Sequence, residues 1–416
     1  MPAQHPVITE GRKPPGHNET DADTGKPFSG RLIVVLALLA AVAPLAIDMY
    51  LPAFPEMAKE FGTTATAIQL TLTTFLLGMA IGQLVFGPLS DRFGRRPLLL
   101  VGTLACAVFS AASALAPTIE LLAGARFVQG FAGAAGIVLG RAVISDRAKG
   151  VAAAKLFGLL VVINAVAPIV APLVGGVIVT NLGWRAVYWA LAGLSVIMFL
   201  AVLFLVPETH PVERRSQGGA SAMLRDAREV LRNRRYVGYT LAYAFAFGVM
   251  FAYISASPFV LQDLHGISTG WYTVAFTANA LGLVVGSVAN DNIVRRIGSG
   301  RTLRIGLTVL ASMSVLMLVN SLAGPAMWVT LILLWCTMSS LGLIIANATT
   351  LALGEARRAA GTGSALLGAL QFLLAAAIAP LVGIGGEETA VPMAVAMVVS
   401  SVIALGALAL TKPARA

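Results

Sequence analysis

The chain has 416 residues, 57% of them hydrophobic and 12% charged, with a net charge of +10 and a mean hydropathy of +0.84. A water-soluble domain of this length would carry about twice that charged fraction, so a soluble globular protein is excluded. The basic excess raises a nucleic-acid partner, but the way the charges fall along the chain argues against one.

Residues 1–30 are polar and rich in Pro, Gly and His, and read as a disordered tail. Twelve apolar stretches follow, at about 32–54, 66–87, 97–116, 120–142, 153–180, 184–206, 236–262, 271–291, 302–320, 325–350, 360–383 and 390–411. Each is close to the roughly 20 residues that cross a hydrocarbon core as a helix. The runs are continuous rather than alternating, which predicts helices and not a barrel. "LALLAAVA" in the first stretch looks like a signal-peptide core, yet thirty polar residues precede it and the apolar run continues beyond it. A retained helix is expected.

The longest polar interruption, 207–235, divides the segments six and six. The expected organisation is a tail at 1–30, a six-helix bundle at 31–206, a linker at 207–235, a second bundle at 236–411 and a short tail at 412–416. Within the linker, "RDAREVLRNRR" reads as a basic helix lying on an anionic leaflet.

If the N-terminus is cytoplasmic, 26 of the 29 Lys and Arg residues fall on one side; Lys59 and Arg185 fall on the other and Arg126 lies inside segment 4. This positive-inside asymmetry predicts both termini in the cytoplasm and accounts for the basic composition without nucleic acid. The halves also echo each other. "APLVGG" at 171–176 recurs as "APLVG" at 379–383, Pro52 and Pro258 close segments 1 and 7, and Gly87 and Gly286 each precede arginines. Such repeats let secondary transporters place one midplane site between two rocking halves.

Segment 1 carries Asp48 in "LAIDMYLP", a carboxylate among apolar residues. It lies about 26 Å along the helix from Arg31, in the half of the bilayer away from the basic side. Segment 2 leads into "GPLSDRFGRRP" at 87–97. Gly87 and Pro88 are expected to end the helix and permit close packing, Asp91 to meet a helix N-terminus, and Arg92, Arg95 and Arg96 to anchor the turn. In segment 4, Arg126 stands at membrane depth, where a charge costs a few kcal/mol unless paired or hydrated. It either snorkels outward or serves a function. Its depth overlaps that of Asp48, so a pair between them is geometrically open, whether structural or proton-handling. Segment 5 reads "APIVAPLVGG", with Pro168, Pro172, Gly175 and Gly176 in mid-helix, where membrane helices tolerate them and small residues permit tight contact.

The Gly-xxx-Asp-Arg-x-Gly-Arg-Arg order over Gly87, Asp91, Arg92, Gly94, Arg95 and Arg96 resembles the loop 2–3 signature of the major facilitator superfamily. Leu122-xxx-Arg126-xx-Gln129-Gly130 resembles its segment 4 motif, and the segment 5 stretch resembles the antiporter motif, with Ala167 and Ala171 where the pattern has glycine. With "AIDMYLP" and "WRAVYW", these resemble the bicyclomycin- and florfenicol-resistance subfamily over residues 32–411. The resemblance implies an all-α fold of two pseudo-symmetric six-helix bundles in a bacterial inner membrane. It further implies a monomeric exporter of small drug-like compounds that draws on the proton gradient and needs no cofactor. The 87–97 turn would be a cytoplasmic gate whose acid faces the start of segment 11, and Asn290 would stand at the corresponding place in the second half. Asp48 and Arg126 would couple to protons.

For the substrate cavity, the i, i+4 stripe through Tyr243, Phe247 and Phe251 offers an aromatic wall, and Asn164, Asn279, Asn347 and Gln371 are lone polar residues in apolar segments. Tyr50 and Gln129 join them beside the segment 1 and 4 motifs. Plain helix packing is the alternative for each. An uptake symporter and a non-transporting receptor also remain open. An enzyme finds no support: His5, His17, His210 and His265 lie in tails and loops, Cys106 and Cys336 in apolar segments, and no metal cluster or nucleotide-binding loop is present.

Overall fold

The computed structural model describes residues 30–215, 219–384 and 389–411, so the expected tails at 1–29 and 412–416 lie outside the described residues. Among those described, the chain is helical without strands, and twelve helices are long and apolar enough to cross a membrane. The first crossing is α1 (Gly30–Asp48), extended past a 3₁₀ turn at Leu51–Ala53 by α2 (Phe54–Phe61). α3 (Ala65–Phe93), α4 (Arg95–Ala114), α5 (Ile119–Arg147), α6 (Gly150–Leu182) and α7 (Trp184–Leu205) complete the first half. α8 (Gly219–Arg232) connects the halves. The second half holds α9 (Arg234–Pro258), prolonged by a π turn at Phe259–Leu264, then α10 (Thr269–Ile297), α11 (Ser299–Leu322), α12 (Met327–Glu355), α13 (Ala360–Leu381) and α14 (Val391–Ala407).

Each half packs on itself, α3 and α4 against α5 in the first and α10 and α11 against α12 in the second. Two seams join them, α3 against α13 and α6 against α10. Lipid tails are as apolar as leucine, so close packing rather than the hydrophobic effect holds such helices together, and small residues set how near they come. A Cβ added to Gly130 of α5 would overlap the Phe75 carbonyl of α3, and one on Gly286 of α10 would overlap the Ser339 carbonyl of α12. Outward, Val101, Leu104 and Val108 stand exposed along one face of α4, and Trp271 and Trp328 at the starts of α10 and α12, as lipid-facing surfaces do.

Three expectations are corrected. α3 does not end at Gly87–Pro88 but runs on to Phe93, because a membrane helix absorbs one lost backbone bond and the Ser90 hydroxyl donates to the Gly87 carbonyl at 2.8 Å. A Cβ on Gly87 would meet open space, so this glycine is not a close-packing site. The reversal is made by Gly94 alone, at φ 97°, a backbone region that favours glycine.

The repeat register also shifts. α3 and α10 are both 29 residues long, are capped by the hydroxyls of Thr64 and Ser268, and close on Gly94 and on Gly298 at φ 79°. Matching those glycines sets Arg295, not Asn290, opposite Asp91. Finally, α8 packs against α3, α9 and α13. It therefore sits beneath both halves instead of only lying on a leaflet.

Candidate functional site

Asp48 is the last residue of α1, where the helix unwinds ahead of Pro52. It is 4% exposed, and its Oδ1 has no hydrogen-bond partner among the described residues. Its neighbours across the seam are hydroxyls: Asp48 acts electrostatically on Tyr253 of α9 and Tyr272 of α10. The Asn279 amide donates to Tyr253 Oη at 2.9 Å, and Ser257 Oγ lies 3.3 Å from Tyr272 Oη. Asn279, expected in a substrate cavity, is committed to this cluster.

Arg126 is fully buried, so it does not snorkel. Nor does it form an ion pair with Asp48 in this state. One Nη donates to the Ala46 carbonyl at 2.9 Å, two residues before Asp48, and the other to Gln129 Oε1 at 2.6 Å. The Gln129 amide continues to Ser110 Oγ at 2.6 Å. The guanidinium carbon lies 4.2 Å from the Phe75 ring centroid, 4.4 Å from Tyr50 and 5.7 Å from Tyr188. Carbonyl and amide acceptors plus ring faces stabilise a desolvated cation, which is why Arg126 persists here without a carboxylate. Tyr50 and Gln129 thus belong to the Arg126 cluster rather than to a cavity wall.

The α6 motif lies beside this centre. Pro168 and Pro172 sit within a continuous helix. A Cβ on Gly175 would overlap the Met49 carbonyl, next to Asp48, and one on Gly176 would overlap the Thr273 hydroxyl of α10. The same end of the molecule is closed by further contacts between the halves. Gln69 Nε2 donates to the Ser255 carbonyl at 3.0 Å and Gln262 Nε2 to the Pro52 carbonyl at 3.1 Å, with Phe54 and Phe259 rings 6.0 Å apart.

Of the expected cavity residues, the structure gathers four. Tyr243 donates to Gln371 Oε1 and stacks on Phe247 at 6.0 Å, and Phe247 meets Phe251 at 5.1 Å and Phe372 at 5.8 Å. The others lie elsewhere. Asn347 is buried and donates to Asn290 Oδ1 at 2.6 Å, joining α12 to α10, and the Asn164 amide turns back to the Leu160 carbonyl at 2.7 Å.

At the opposite, basic end, Asp91 pairs with Arg95 at 2.7 Å within its own turn, where the resemblance had it facing the start of segment 11. Arg95 also reaches Asp146 of α5 at 3.2 Å and the Ser90 hydroxyl, and Arg96 donates to the Leu203 carbonyl at 2.7 Å. Glu208, just past α7, accepts from the backbone N–H groups of Arg95 at 3.0 Å and Arg96 at 3.3 Å, capping α4. Sequence reasoning missed Glu208, Asp146 and the Tyr253–Tyr272 pair. Each meets its partner only through the fold, and no local spacing announces it.

Residues 36–380 match the family model described as Major Facilitator Superfamily. The chain is 39% identical over 376 residues to an uncharacterized MFS-type transporter, YdgK, of Bacillus subtilis, covering 89% of this chain and 93% of that one. It is 31% identical over 375 residues to a bicyclomycin resistance protein homolog of Haemophilus influenzae, covering 89% and 94%. Its fold is similar to that of a D-xylose–proton symporter at a TM-score of 0.70 and 14% identity, over 90% and 96% of the two chains. With twelve membrane-length helices in two bundles and these relatives, the chain belongs to the major facilitator superfamily and is a multi-pass membrane transporter, not an enzyme.

Proposed function

We propose that the protein exports small drug-like compounds in exchange for protons by alternating access, with Asp48 as the proton-binding group. The observation that carries this reading is the Asp48 carboxyl itself, buried and without a cation at the seam that closes the end away from the basic turns. An ionised carboxylate held there would cost several kcal/mol. The seam therefore closes over the protonated acid.

The basic face is cytoplasmic, and the membrane is the bacterial plasma membrane. The structure is then the inward-facing state, and outward opening exposes Asp48 to the external medium, where it takes up its proton. Arg126 fixes the carbonyl of Ala46 one half-turn below and holds the end of α1 in place. The glycines of α6 let that helix approach Asp48 closely enough to exclude water. The Asp91–Arg95–Asp146 network stabilises the cytoplasmic ends of α3 to α5. The relative named for bicyclomycin resistance supports drug as the cargo.

The test is drug-driven proton release from purified protein in proteoliposomes, using bicyclomycin and florfenicol. Wild type is expected to release protons on drug addition. Asp48→Asn is expected to lose that release by at least tenfold while still exchanging labelled drug across the membrane without a gradient. Undiminished proton release from Asp48→Asn would sink the assignment.

A further inference from the structure

We propose that Arg141, with Tyr243 and Gln371, forms the polar end of a substrate site that selects compounds bearing an anionic or acceptor-rich head on an aromatic body and disfavours lipophilic cations. The inference rests on the exporter reading and names the substrate class of its cavity.

Arg141 lies in α5, about 9 Å before that helix ends at Arg147. By sequence it is one more basic residue on the cytoplasmic side. In the structure it differs from its neighbours. Arg95, Arg215 and Arg235 each meet a carboxylate within 4 Å, whereas Arg141 has no ion-pair partner among the described residues and its side chain is exposed. Its charge acts on the Tyr243 hydroxyl of α9, in the other half. The guanidinium is therefore turned toward the second bundle and not toward the lipid.

What surrounds it is donor-rich. The Tyr243 hydroxyl donates a hydrogen bond to Gln371 Oε1, so the Gln371 acceptor is engaged while its amide N–H groups bond no described residue. The nearest acid along the chain, Asp146, is committed to Arg95, and Asp48 lies buried at the far seam. Tyr243 stacks on Phe247, and Phe372 meets Phe247 edge-on, forming an aromatic wall beside Gln371. A forked guanidinium matches the two oxygens of a carboxylate, nitro or phosphonate group, and the rings take an aromatic body. A quaternary ammonium would meet like charge with no carboxylate to offset it.

The experiment measures binding to purified protein in nanodiscs of three labelled probes sharing one naphthyl body, with a carboxylate, a hydroxymethyl or a trimethylammonium head. Wild type is expected to bind the carboxylate at least tenfold more tightly than the ammonium. Arg141→Gln should shrink that ratio to about twofold, and Arg141→Lys, which keeps the charge and controls for folding, should retain most of it. A wild-type preference for the ammonium, binding of no probe, or an unchanged ratio in Arg141→Gln would overturn the proposal. The expected ratios without proton-driven transport of any probe would support the site and sink the exporter reading instead.

Discussion

The two halves share one scaffold and differ in chemistry. α3 and α10 match in length, cap and closing glycine, and each packs a glycine against a carbonyl of its partner helix. On that scaffold the first half carries Asp48, Arg126 and the Asp91–Arg95–Asp146 network. The second half answers with neutral groups: Tyr253 and Asn279 opposite Asp48, and Asn290 bonded to Asn347 inside the bundle. At its basic corner, Arg295 and Arg296 are exposed and form no ion pair among the described residues. The scaffold occurs twice, and among the described residues its buried charged side chains lie in one half. The other copy serves as the surface that closes against it.

If the shared scaffold is set by glycine approach, equivalent glycines should fail equally. Gly130→Ala and Gly286→Ala each force a methyl into a backbone carbonyl, and each is expected to cost about 3 kcal/mol, read as loss of monodisperse protein on solubilisation. Gly87→Ala, pointing into open space, should leave the yield unchanged. A large loss for Gly130→Ala beside a mild one for Gly286→Ala would show that the halves are not held by the same device.

The corners should behave unequally. Arg95 is 8% exposed and bonds Asp91, Asp146 and Ser90, so Arg95→Ala removes charge-assisted bonds and leaves Asp146 with the Thr209 hydroxyl but no cation partner. About 2 kcal/mol of stability should be lost. Arg295→Ala, at the basic corner of the second half where Asp91 stands in the first, should fall within about 0.5 kcal/mol of wild type. Thermal unfolding of both variants in detergent tests this, and equal losses would erase the distinction.

Much of this was legible in the chain. Runs of apolar residues fixed the number and order of the crossings, and glycine-containing words pointed to the repeat. Asp48 and Arg126 stood out because a charge in an apolar run is costly wherever the helix sits. Their relation was not legible. Overlapping depths allow an ion pair, but whether the side chains point at each other depends on helix rotation, and Arg126 instead turns to Ala46, Gln129 and three rings. The end of α3 was misread for a related reason, since proline stops helices in water more reliably than in lipid. The lone amides were ambiguous from the start. Asn347 finds Asn290 and Asn279 finds Tyr253 across helix pairs that no local spacing reveals.

The smallest expected effect isolates charge from shape at one corner. Partial burial of Glu208 pushes its pKa up, but backbone N–H groups of His210, Arg95, Arg96 and Thr209 outweigh that and hold it below the usual carboxylate range. A carboxyl whose folded pKa lies below its unfolded value adds stability above the unfolded pKa, near 4.3, and that stability is lost as pH falls through the folded value. Glu208→Gln keeps an acceptor and removes the charge. It should cost about 1 kcal/mol at neutral pH, the scale of a lost helix cap, or roughly 2 to 4 °C in Tm. The gap to wild type should close as pH falls below about 4. A gap that stayed constant from pH 7 to pH 3 would assign the stabilisation to packing, not to the carboxylate. The turn at Gly298 offers the control: its neighbours Arg295 and Arg296 have no carboxylate partner among the described residues, so neutralising Arg296 should produce no such pH-dependent gap.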